Sequence, residues 1–229
     1  DFYDLSKAPA LPYHLIDIKK YVGKSAQNTG NSFLVEAGRG CAHNCIFCFN
    51  ASFNKRRWRA MTVDKIIEQI QTLYLNYKIT GFFIVDDSFF TNINRVFEFC
   101  NELKKIDANI QWCAEANLSD LLRLNDLQIK DLENSGLNWL SVGVESGSQK
   151  IIDKLNKKIT ITQLFEFNER IKNYKINIRY NFMCGYIWED EEDIDDTINV
   201  CLKLTKNSKK IMTQPLYVAT PLPGTEYME

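Results

Sequence analysis

The loop from Cys41 to Cys48 is the part of the sequence whose residue types and spacing are best suited to chemistry. It reads CAHNCIFC, with three and then two residues between its cysteines, and the next cysteine is Cys100. A cubane iron-sulfur cluster normally takes four thiolates, one on each iron. Three thiols would leave one iron with an open position, which is where a metal centre binds a reactant. The spacing therefore favours a reactive cluster on Cys41, Cys45 and Cys48.

Two other interpretations of this loop stay open. A structural zinc site with three cysteines and one histidine would use His43, but His43 lies two residues from both Cys41 and Cys45, so one tetrahedron holding all four would be cramped. Disulfides fit less well, because seven cysteines are an odd number and no apolar leader points to an oxidising compartment. The remaining cysteines stand singly among apolar neighbours, as small buried hydrophobes do: Cys100, Cys113, Cys184 and Cys201.

The composition fits one barrel-sized globular domain, with 45% hydrophobic and 25% charged residues in a chain of 229. A formal net charge of -1 gives no argument for a nucleic-acid or membrane surface. The dense basic cluster NKRRWR, from Asn54 to Arg59, is expected to form a solvated lip beside the cysteine loop rather than a nucleic-acid site. No apolar run approaches the ~20 residues that cross a bilayer, so we expect no membrane span and a cytoplasmic location.

Strand-like and helix-like segments alternate along the chain, which is typical of parallel βα units. The predicted fold class is α/β, a partial (β/α)6 TIM-like barrel with parallel strands. The helix that opens at Thr62 has the clearest period, and others are expected near Val96–Leu103, Leu127–Leu132, Leu164–Ile171 and Ile194–Leu204. The six predicted strands are Ser32–Ala37, Gly81–Asp86, Ile110–Ala116, Trp139–Glu145, Ile176–Cys184 and Ile211–Ala219.

Polar residues follow the predicted strands one after another. In a TIM-like fold the carboxyl ends of the strands carry the working residues, so these side chains should meet the cysteine loop on one rim. Each of them taken alone has an alternative interpretation as a helix cap, since the helix dipole favours carboxylates at helix starts. The residues are Asp86, Asp87 and Ser88, then Glu115 and Asn117, then Glu145 and Ser146, and finally Glu189 and Asp190.

With these motifs the chain resembles the radical S-adenosylmethionine superfamily, in the branch that often carries a cobalamin-binding domain. The resemblance covers the cysteine loop with Phe47 before its last cysteine, FFIVDDSFF at the second strand, VGVESGS at the fourth and TPLPGT after the sixth. GYIWED after the fifth strand keeps Gly185 and Glu189 but has Ile187 and Trp188 where the family usually has proline and glycine. These two departures put the geometry of that turn in question.

The resemblance implies a set of cofactors and contacts. Cys41, Cys45 and Cys48 would hold a 4Fe-4S cluster, and the amino and carboxylate groups of S-adenosylmethionine would chelate the fourth iron. The residues implied to contact S-adenosylmethionine are Phe47 beside the nucleoside, Asp86 and Asp87 near the methionine amino group, Glu145 on the ribose hydroxyls with its neighbour Ser146, Gly185 in the fifth-strand turn, and Arg179 on the methionine carboxylate. A solvent-facing arginine is the other interpretation of Arg179.

The implied reaction begins when the reduced cluster passes an electron to the sulfonium, giving a 5'-deoxyadenosyl radical that abstracts hydrogen from an unknown small-molecule substrate. A flavodoxin or ferredoxin is the expected electron donor, and handling would be anaerobic. The leading prediction is a transferase or cyclase of the cobalamin-associated branch. One alternative is a methylthiotransferase-like enzyme that modifies RNA or protein and needs a second cluster; another is a non-catalytic, metal-stabilised barrel that binds a partner.

The expected domain organisation is a linker segment at residues 1–30 and the radical core at residues 31–229. Residues Leu5 to Tyr21 resemble the linker that joins a cobalamin domain to such a core. We therefore expect the sequence, which starts at Asp1, to be a piece of a longer protein in which cobalamin is bound by a domain outside this chain.

Overall fold

Parallel strands joined by helical crossovers form the framework of the protein. The structure is a computed structural model that describes residues 2–24, 31–107, 109–214 and 216–228. Its strands are β1 (Gly23–Lys24), β2 (Asn31–Val35), β3 (Gly38–Arg39), β4 (Arg59–Ala60), β5 (Gly81–Ile84), β6 (Gln111–Asn117), β7 (Leu137–Glu145), β8 (Asn177–Cys184), β9 (Ile211–Thr213) and β10 (Tyr217–Val218). Its α-helices are α1 (Phe49–Phe53), α2 (Val63–Tyr77), α3 (Ile93–Lys104), α4 (Leu118–Leu121), α5 (Asp126–Asn134), α6 (Gln149–Lys154), α7 (Ile161–Ile171) and α8 (Glu191–Thr205).

The main sheet has the order β1-β2-β5-β6-β7-β8-β10, and β9 also pairs with β8. From β2 to β10 every pairing is parallel, whereas β1 joins β2 antiparallel at the edge. Strands β3 and β4 form a separate antiparallel pair next to the cysteine loop. The predicted α/β fold with parallel strands in sequential order is therefore confirmed.

The sixth predicted strand, Ile211–Ala219, is divided. Residues 211–213 pair with β8 at Ile178 to Tyr180, and residues 217–218 pair with β8 at Met183 and Cys184. The sequence has Pro215 between the two pieces, and proline has no backbone N–H to donate to a ladder. Residue 215 itself lies outside the described residues. One expected strand is thus two short ones on the same neighbour.

Helix α2 shows why the helical predictions hold. It begins after Thr62, as predicted, and fully buries Ile66, Ile70 and Leu73 against the sheet. Residues three and four apart lie on one helix face, so this spacing supplies one continuous apolar stripe to the core. The helix ends at Tyr77, and the next residue, Lys78, caps it with a left-handed φ of 59°. Helices α3, α5, α7 and α8 likewise occupy the predicted segments.

The N-terminal segment packs on the barrel through short 3-10 turns. Leu5, Tyr13 and Ile18 are buried in the main core, and the Tyr13 hydroxyl donates to Gln69 Oε1 of α2 at 3.2 Å. The expected boundary between linker and core falls on residues 25–30, which lie outside the described residues. The segment before that boundary is anchored along its length by apolar contacts.

Two arginines of the basic cluster at 54–59 contact an aromatic ring, while Lys55 and Arg56 are exposed. The Arg59 guanidinium lies 4.3 Å from the ring centre of Phe2, and the Arg57 guanidinium lies 5.9 Å from the same ring. Trp58 faces Arg95 of α3, whose guanidinium carbon is 5.6 Å from the indole ring centre. None of the described helices combines the length and apolar character that crossing a bilayer requires.

Candidate active site

The three cysteines of the loop converge on one cavity of about 250 Å³ at the carboxyl ends of the parallel strands. Cys45 is buried, whereas Cys41 and Cys48 are half-buried and all three are free thiols. The cavity therefore gathers thiols, carboxylates, amides and one cation from loops that are far apart in sequence. Its lining residues are Cys41, His43, Cys45, Phe47, Cys48, Asn50, Ala51, Asp87, Glu115, Ala116, Asn117, Ser141, Gly143, Glu145, Lys157 and Asn181.

Two consecutive carboxylates hold the start of the cysteine loop. Asp86 Oδ1 accepts from the backbone N–H groups of Ala37 at 2.8 Å and Gly38 at 2.7 Å, and Asp87 Oδ2 accepts from Gly40 N at 2.7 Å. Gly40 has a φ of +84°, and a β-carbon there would collide with the carbonyl of Arg57. The loop thus needs both carboxylates and a residue without a side chain to reach the cavity.

The middle of the loop is held from beneath by the turn after α6 and by the C-terminal residues. Ile46 donates its N–H to Leu155 O at 3.3 Å and accepts from Tyr227 N at 3.0 Å. Asn156 Nδ2 donates to Asn44 O at 2.8 Å. Below these contacts lies a second, smaller apolar cluster, whose members are Ile151, Leu155, Tyr186, Ala219 and Tyr227, with Ile46, Phe47, Met183 and Trp188 packed on it.

A buried ion pair stands in the wall of the cavity. Lys157 Nζ lies 3.0 Å from Glu145 Oε1, and the two side chains are 4% and 11% exposed. Burial pulls the pKa of Lys157 down, but the negative charge of the Glu145 carboxylate opposes burial and the pKa is raised. Nζ also lies 6.0 Å from the ring centre of Phe47. A positive charge is therefore fixed beside the cysteine loop.

The backbone at the end of β7 is strained where it presents Glu145. Its φ of +77° is in the left-handed region, and the pairing of β7 with β8 shifts register between Gly143 and Glu145. A non-glycine residue in this region costs about 1 to 3 kcal/mol and persists when its surroundings enforce it. Here the ion pair with Lys157 and the bulge aim the carboxylate into the cavity.

A polar wall formed by β6, β7 and β8 faces the cysteines. Asn181 Nδ2 donates to Ser141 Oγ at 2.9 Å, and Arg179 donates to the same oxygen at 3.3 Å. The Asn181 Oδ1 atom is buried and has no protein partner among the described residues. Partial desolvation raises the pKa of the Glu115 carboxyl, while Arg179 opposes that rise. This wall offers donors and acceptors to a polar molecule held between it and the cysteines.

The structure separates the predicted site residues into two groups. Phe47, Asp87, Glu145 and the three cysteines line the cavity. Asp86, Ser146, Arg179 and Gly185 are not among its lining residues, and their expected contacts with S-adenosylmethionine stay predictions. Asp86 points under the loop, where its Oδ1 accepts from the two backbone amides, and Arg179 stands behind Ser141.

In the structure, Ser146 and Gly185 stabilise backbone turns. The Ser146 hydroxyl is fully buried, lies 3.2 Å from Thr197 Oγ1 and accepts from Ser148 N at 3.1 Å, which fixes the turn after Glu145. Gly185 has a φ of +83° and donates its N–H to Glu189 Oε2. Glu189 therefore keeps the turn after β8 closed although Ile187 and Trp188 replace the usual residues.

The bulky side chain of Trp188 is accommodated in this turn by packing against two tyrosines. Its ring stacks on Tyr186 at 6.3 Å and meets Tyr227 edge-on at 5.2 Å. The helix-capping interpretation is right for two of the polar residues after the strands, since Asn117 accepts from Ser119 N at 3.2 Å and Asp190 from Asp193 N at 3.1 Å.

Sequence reasoning missed Lys157, Ser141 and Asn181 as cavity residues. Ser141 and Asn181 sit inside strands, where alternate residues face the same side and the pattern alone does not say which side is the cavity. Lys157 follows a short helix within the run NKK, and nothing in its spacing sets it apart from Lys158. The signal that could have found it is its position after the VGVESGS motif.

The alternative of a structural zinc site that includes His43 can be compared with this geometry. His43 Nε2 lies 3.0 Å from Asp120 Oδ2, so one ring nitrogen is engaged by a carboxylate. Across the described residues, no three His, Cys, Asp or Glu side chains converge as ligands of a single metal ion. A cubane does not require that convergence, because each thiolate binds a different iron.

Burial disfavours the thiolate form of two of the loop cysteines. Burial raises the pKa of Cys45 to about 11, although Lys157 opposes the rise, and burial also raises the pKa of Cys41. Metal binding must then displace these protons, which couples cluster assembly to pH. Of the other cysteines, Cys100 and Cys113 are buried as expected, while Cys184 and Cys201 are half-buried.

Comparison with known proteins decides the family. Residues 35–201 match the family described as the Radical SAM superfamily. The chain belongs to the radical SAM superfamily. The resemblance carried by the cysteine loop is thereby confirmed, and so are the two cofactors common to that family, a 4Fe-4S cluster and S-adenosylmethionine.

Relatives of this radical SAM chain include methyltransferases and cyclases. An uncharacterised methyltransferase of Pyrococcus horikoshii is 27% identical over 227 residues, which cover 99% of this chain and 47% of that protein. The anaerobic magnesium-protoporphyrin IX monomethyl ester cyclase of Rubrivivax gelatinosus is 28% identical over 159 residues, covering 69% of this chain and 28% of the cyclase. The chain thus spans about half the length of the first relative and less of the second.

The fold of this radical SAM chain also matches solved structures. The cobalamin-dependent S-adenosylmethionine radical enzyme OxsB, with aqua-cobalamin and S-adenosylmethionine bound, superposes with a TM-score of 0.72 at 17% identity. The superposition covers 86% of this chain and 34% of OxsB. At this identity the likeness shows the fold, and together with the relatives it agrees with the cobalamin-associated branch.

Proposed function

We propose that this chain is the radical SAM core of a cobalamin-associated methyltransferase or cyclase, with Cys41, Cys45 and Cys48 as the three protein ligands of its 4Fe-4S cluster. The observation that carries the proposal is the shared cavity of these thiols with Glu145, Lys157 and the polar wall of the strands. Three thiols of one loop on the carboxyl rim of a parallel barrel suit a cluster with an open iron. When bound, the cluster supplies the electron that cleaves S-adenosylmethionine reductively.

The protein's own residues bind and orient in this proposal. Glu145 accepts from the ribose hydroxyls, Asp87 from the methionine amino group, and the half-buried ring of Phe47 covers the nucleoside. Arg179 supports the methionine carboxylate through the wall that it forms with Ser141 and Asn181. Asp86, Ser146 and Gly185 hold the backbone in place, and the apolar cluster beneath the loop keeps water from its inner side.

Cluster assembly is the direct test. Anaerobically reconstituted protein should absorb broadly in the blue part of the visible spectrum, and the absorption should vanish when all three loop cysteines are replaced by alanine. Cys113→Ala is the matched control, because Cys113 is a buried thiol that does not line the cavity. With dithionite as reductant, the wild type should release 5'-deoxyadenosine from S-adenosylmethionine. A colourless, zinc-containing protein would overturn the proposal in favour of a structural metal loop.

The reaction class needs a second experiment. Retention of cobalamin by the longer parent protein would support the hypothesis of a methyltransferase or cyclase. A second iron-sulfur cluster without cobalamin would instead support the methylthiotransferase-like alternative. In the longer protein, residues 1–30 would join the cobalamin domain to the core at residues 31–229.

The cellular setting is part of the proposal. All seven cysteines are free thiols, which fits a reducing, cytoplasmic compartment. Family members need a reductant, and we propose a flavodoxin or ferredoxin in that role. We propose a small-molecule substrate rather than a nucleic acid, because the formal net charge is -1 and two arginines of the basic cluster contact Phe2.

A further inference from the structure

We propose that Lys157 is a positioning residue whose buried charge raises the reduction potential of the cluster and steadies Glu145. The inference rests on the proposed function, because it assumes a cluster on Cys41, Cys45 and Cys48. It adds a role for a residue that no cysteine or strand-end motif contains.

The side chain of Lys157 is enclosed and points into the cysteine cavity. It is 4% exposed, and its Nζ atom lies 3.0 Å from Glu145 Oε1 and 6.0 Å from the ring centre of Phe47. The same cavity is lined by all three loop cysteines. Gly143 leaves room for the pair, since a β-carbon at position 143 would stand 3.3 Å from Nζ and collide with the Glu145 carboxylate. The ammonium therefore sits where the loop would present a cluster.

The backbone that carries Lys157 is bonded to the loop that carries the cysteines. Leu155 O accepts from Ile46 N at 3.3 Å, and Asn156 Nδ2 donates to Asn44 O at 2.8 Å. Asn156 and Lys158 on either side of Lys157 have left-handed φ values of 59° and 57°. This tight turn directs Lys157 inward and Lys158 outward, so the inward charge is held at a fixed place relative to the loop.

A fixed charge acts differently on the two oxidation states of a cluster. Reduction adds one negative charge to the cluster, and a nearby cation in a poorly polarisable interior stabilises the reduced state more than the oxidised state. A nearby anion does the reverse. Lys157 should therefore raise the reduction potential and Glu145 should lower it. If the ion pair only stabilised the fold, replacing its two partners would not shift the potential in opposite directions.

The test is an anaerobic redox titration of the full, cluster-loaded chain, followed by the EPR signal of the reduced cluster in the absence of S-adenosylmethionine. At the wild-type midpoint half of the cluster is reduced. In Lys157→Met the reduced fraction at that potential should fall well below one half, and in Glu145→Gln it should rise above one half. Lys157→Arg and the double variant Lys157→Met with Glu145→Gln should stay near the wild type. The matched control is Lys158→Met, which removes the same charge from the exposed neighbouring position.

The outcomes separate the two proposals. A wild type that assembles no cluster contradicts the proposed function itself. A wild type with a cluster whose midpoint is unchanged by Lys157→Met, or shifted equally by Lys158→Met, overturns the role of Lys157. If Lys157→Met retains no cluster, the comparison of Glu145→Gln with the double variant decides. A midpoint potential that is raised in Glu145→Gln and returns to the wild-type value in the double variant supports the inference. Equal midpoint potentials in these two variants reject it.

Discussion

The carboxylate of Glu145 occupies the space above Gly143, so that a side chain at position 143 and the observed position of Glu145 exclude each other. The two residues lie on either side of the register shift between β7 and β8. Because Glu145 also pairs with Lys157, the missing β-carbon at position 143 is part of the architecture of the cavity.

Gly143→Ala should therefore weaken S-adenosylmethionine binding by about tenfold or more, since one lost interaction of about 1.4 kcal/mol already has that effect. The atom that must move is the end of a flexible side chain, so the fold should survive with a stability loss of about 1 to 3 kcal/mol, the usual cost of overpacking. Binding measured by calorimetry on the cluster-loaded protein, together with a thermal melt, checks both expectations.

Gly23→Ala is the matched control for that substitution. A β-carbon at Gly23 would meet nothing within 4 Å, so this change should leave binding at the wild-type value. Wild-type affinity in Gly143→Ala would show that the Glu145 carboxylate does not contact the cofactor.

The buried carboxyl of Asp86 should make stability depend on pH. Burial raises its pKa from 3.8 to about 6, against the amides of Ala37 and Gly38, which lower it. The folded state then binds more protons than the unfolded state between these values, so the stability contribution is complete below pH 3.8 and is lost as the pH rises through about 6. A pKa difference of about two units corresponds to a decrease in the free energy of unfolding on the order of 2 to 3 kcal/mol.

Asp86→Asn keeps an acceptor for the loop amides and removes this ionisation. Its denaturant midpoint should change less between about pH 4 and about pH 7 than that of the wild type, since the linkage is gone. Asp195→Asn, which removes an exposed carboxylate, should follow the wild-type curve. Parallel curves for the wild type and Asp86→Asn would contradict the raised pKa.

The amide of Asn156 should help the cysteine loop retain its cluster. Glycine at this position accepts the left-handed φ of 59° without strain, so Asn156→Gly isolates the loss of the bond from Nδ2 to Asn44 O. A typical hydrogen bond contributes about 1 kcal/mol, and cluster loss on exposure to air should be several times faster. Decay of the visible absorption measures the rate.

Asn207→Gly provides the comparison, because Asn207 has a similar φ of 62° at an exposed position after α8. It should leave the decay rate unchanged. Equal rates in Asn156→Gly and the wild type would assign the loop's rigidity to its backbone bonds alone.

Trp188 should be needed for the turn beneath the loop even though the family usually has glycine there. Trp188→Gly removes the contacts with Tyr186 and Tyr227 and should cost about 2 kcal/mol, less than the roughly 3 to 5 kcal/mol of a fully buried aromatic residue, because the ring is half-buried. Trp188→Phe should lose less than half of that. Thermal unfolding gives the stabilities, and hydrogen exchange at Ile46 reports on the loop bonded to Tyr227. Unchanged stability in Trp188→Gly would mean that the aromatic cluster is incidental.

Much of the local structure of this protein could be predicted from side-chain spacing. The apolar period of α2, its start after Thr62 and the end of β7 at Glu145 follow from side-chain spacing, because spacing decides which face of an element is apolar. Strands β2 and β5 end at Val35 and Ile84, two residues before their predicted ends. The cysteine loop could also be predicted from the sequence, since its three thiols lie within eight residues and stay close together whatever the position of the loop in the fold. Family membership followed from the same short motifs.

Only the tertiary structure decided which distant side chains meet. It turned Asp86 under the loop while Asp87 faces the cavity, and it placed Ser146 and Gly185 in backbone support. It also brought Lys157 to thiols more than a hundred residues earlier in the chain, because an inward turn at Asn156 and Lys158 and a strained φ at Glu145 set those directions. Such backbone angles depend on the packing of several elements at once, and one-dimensional spacing does not encode them.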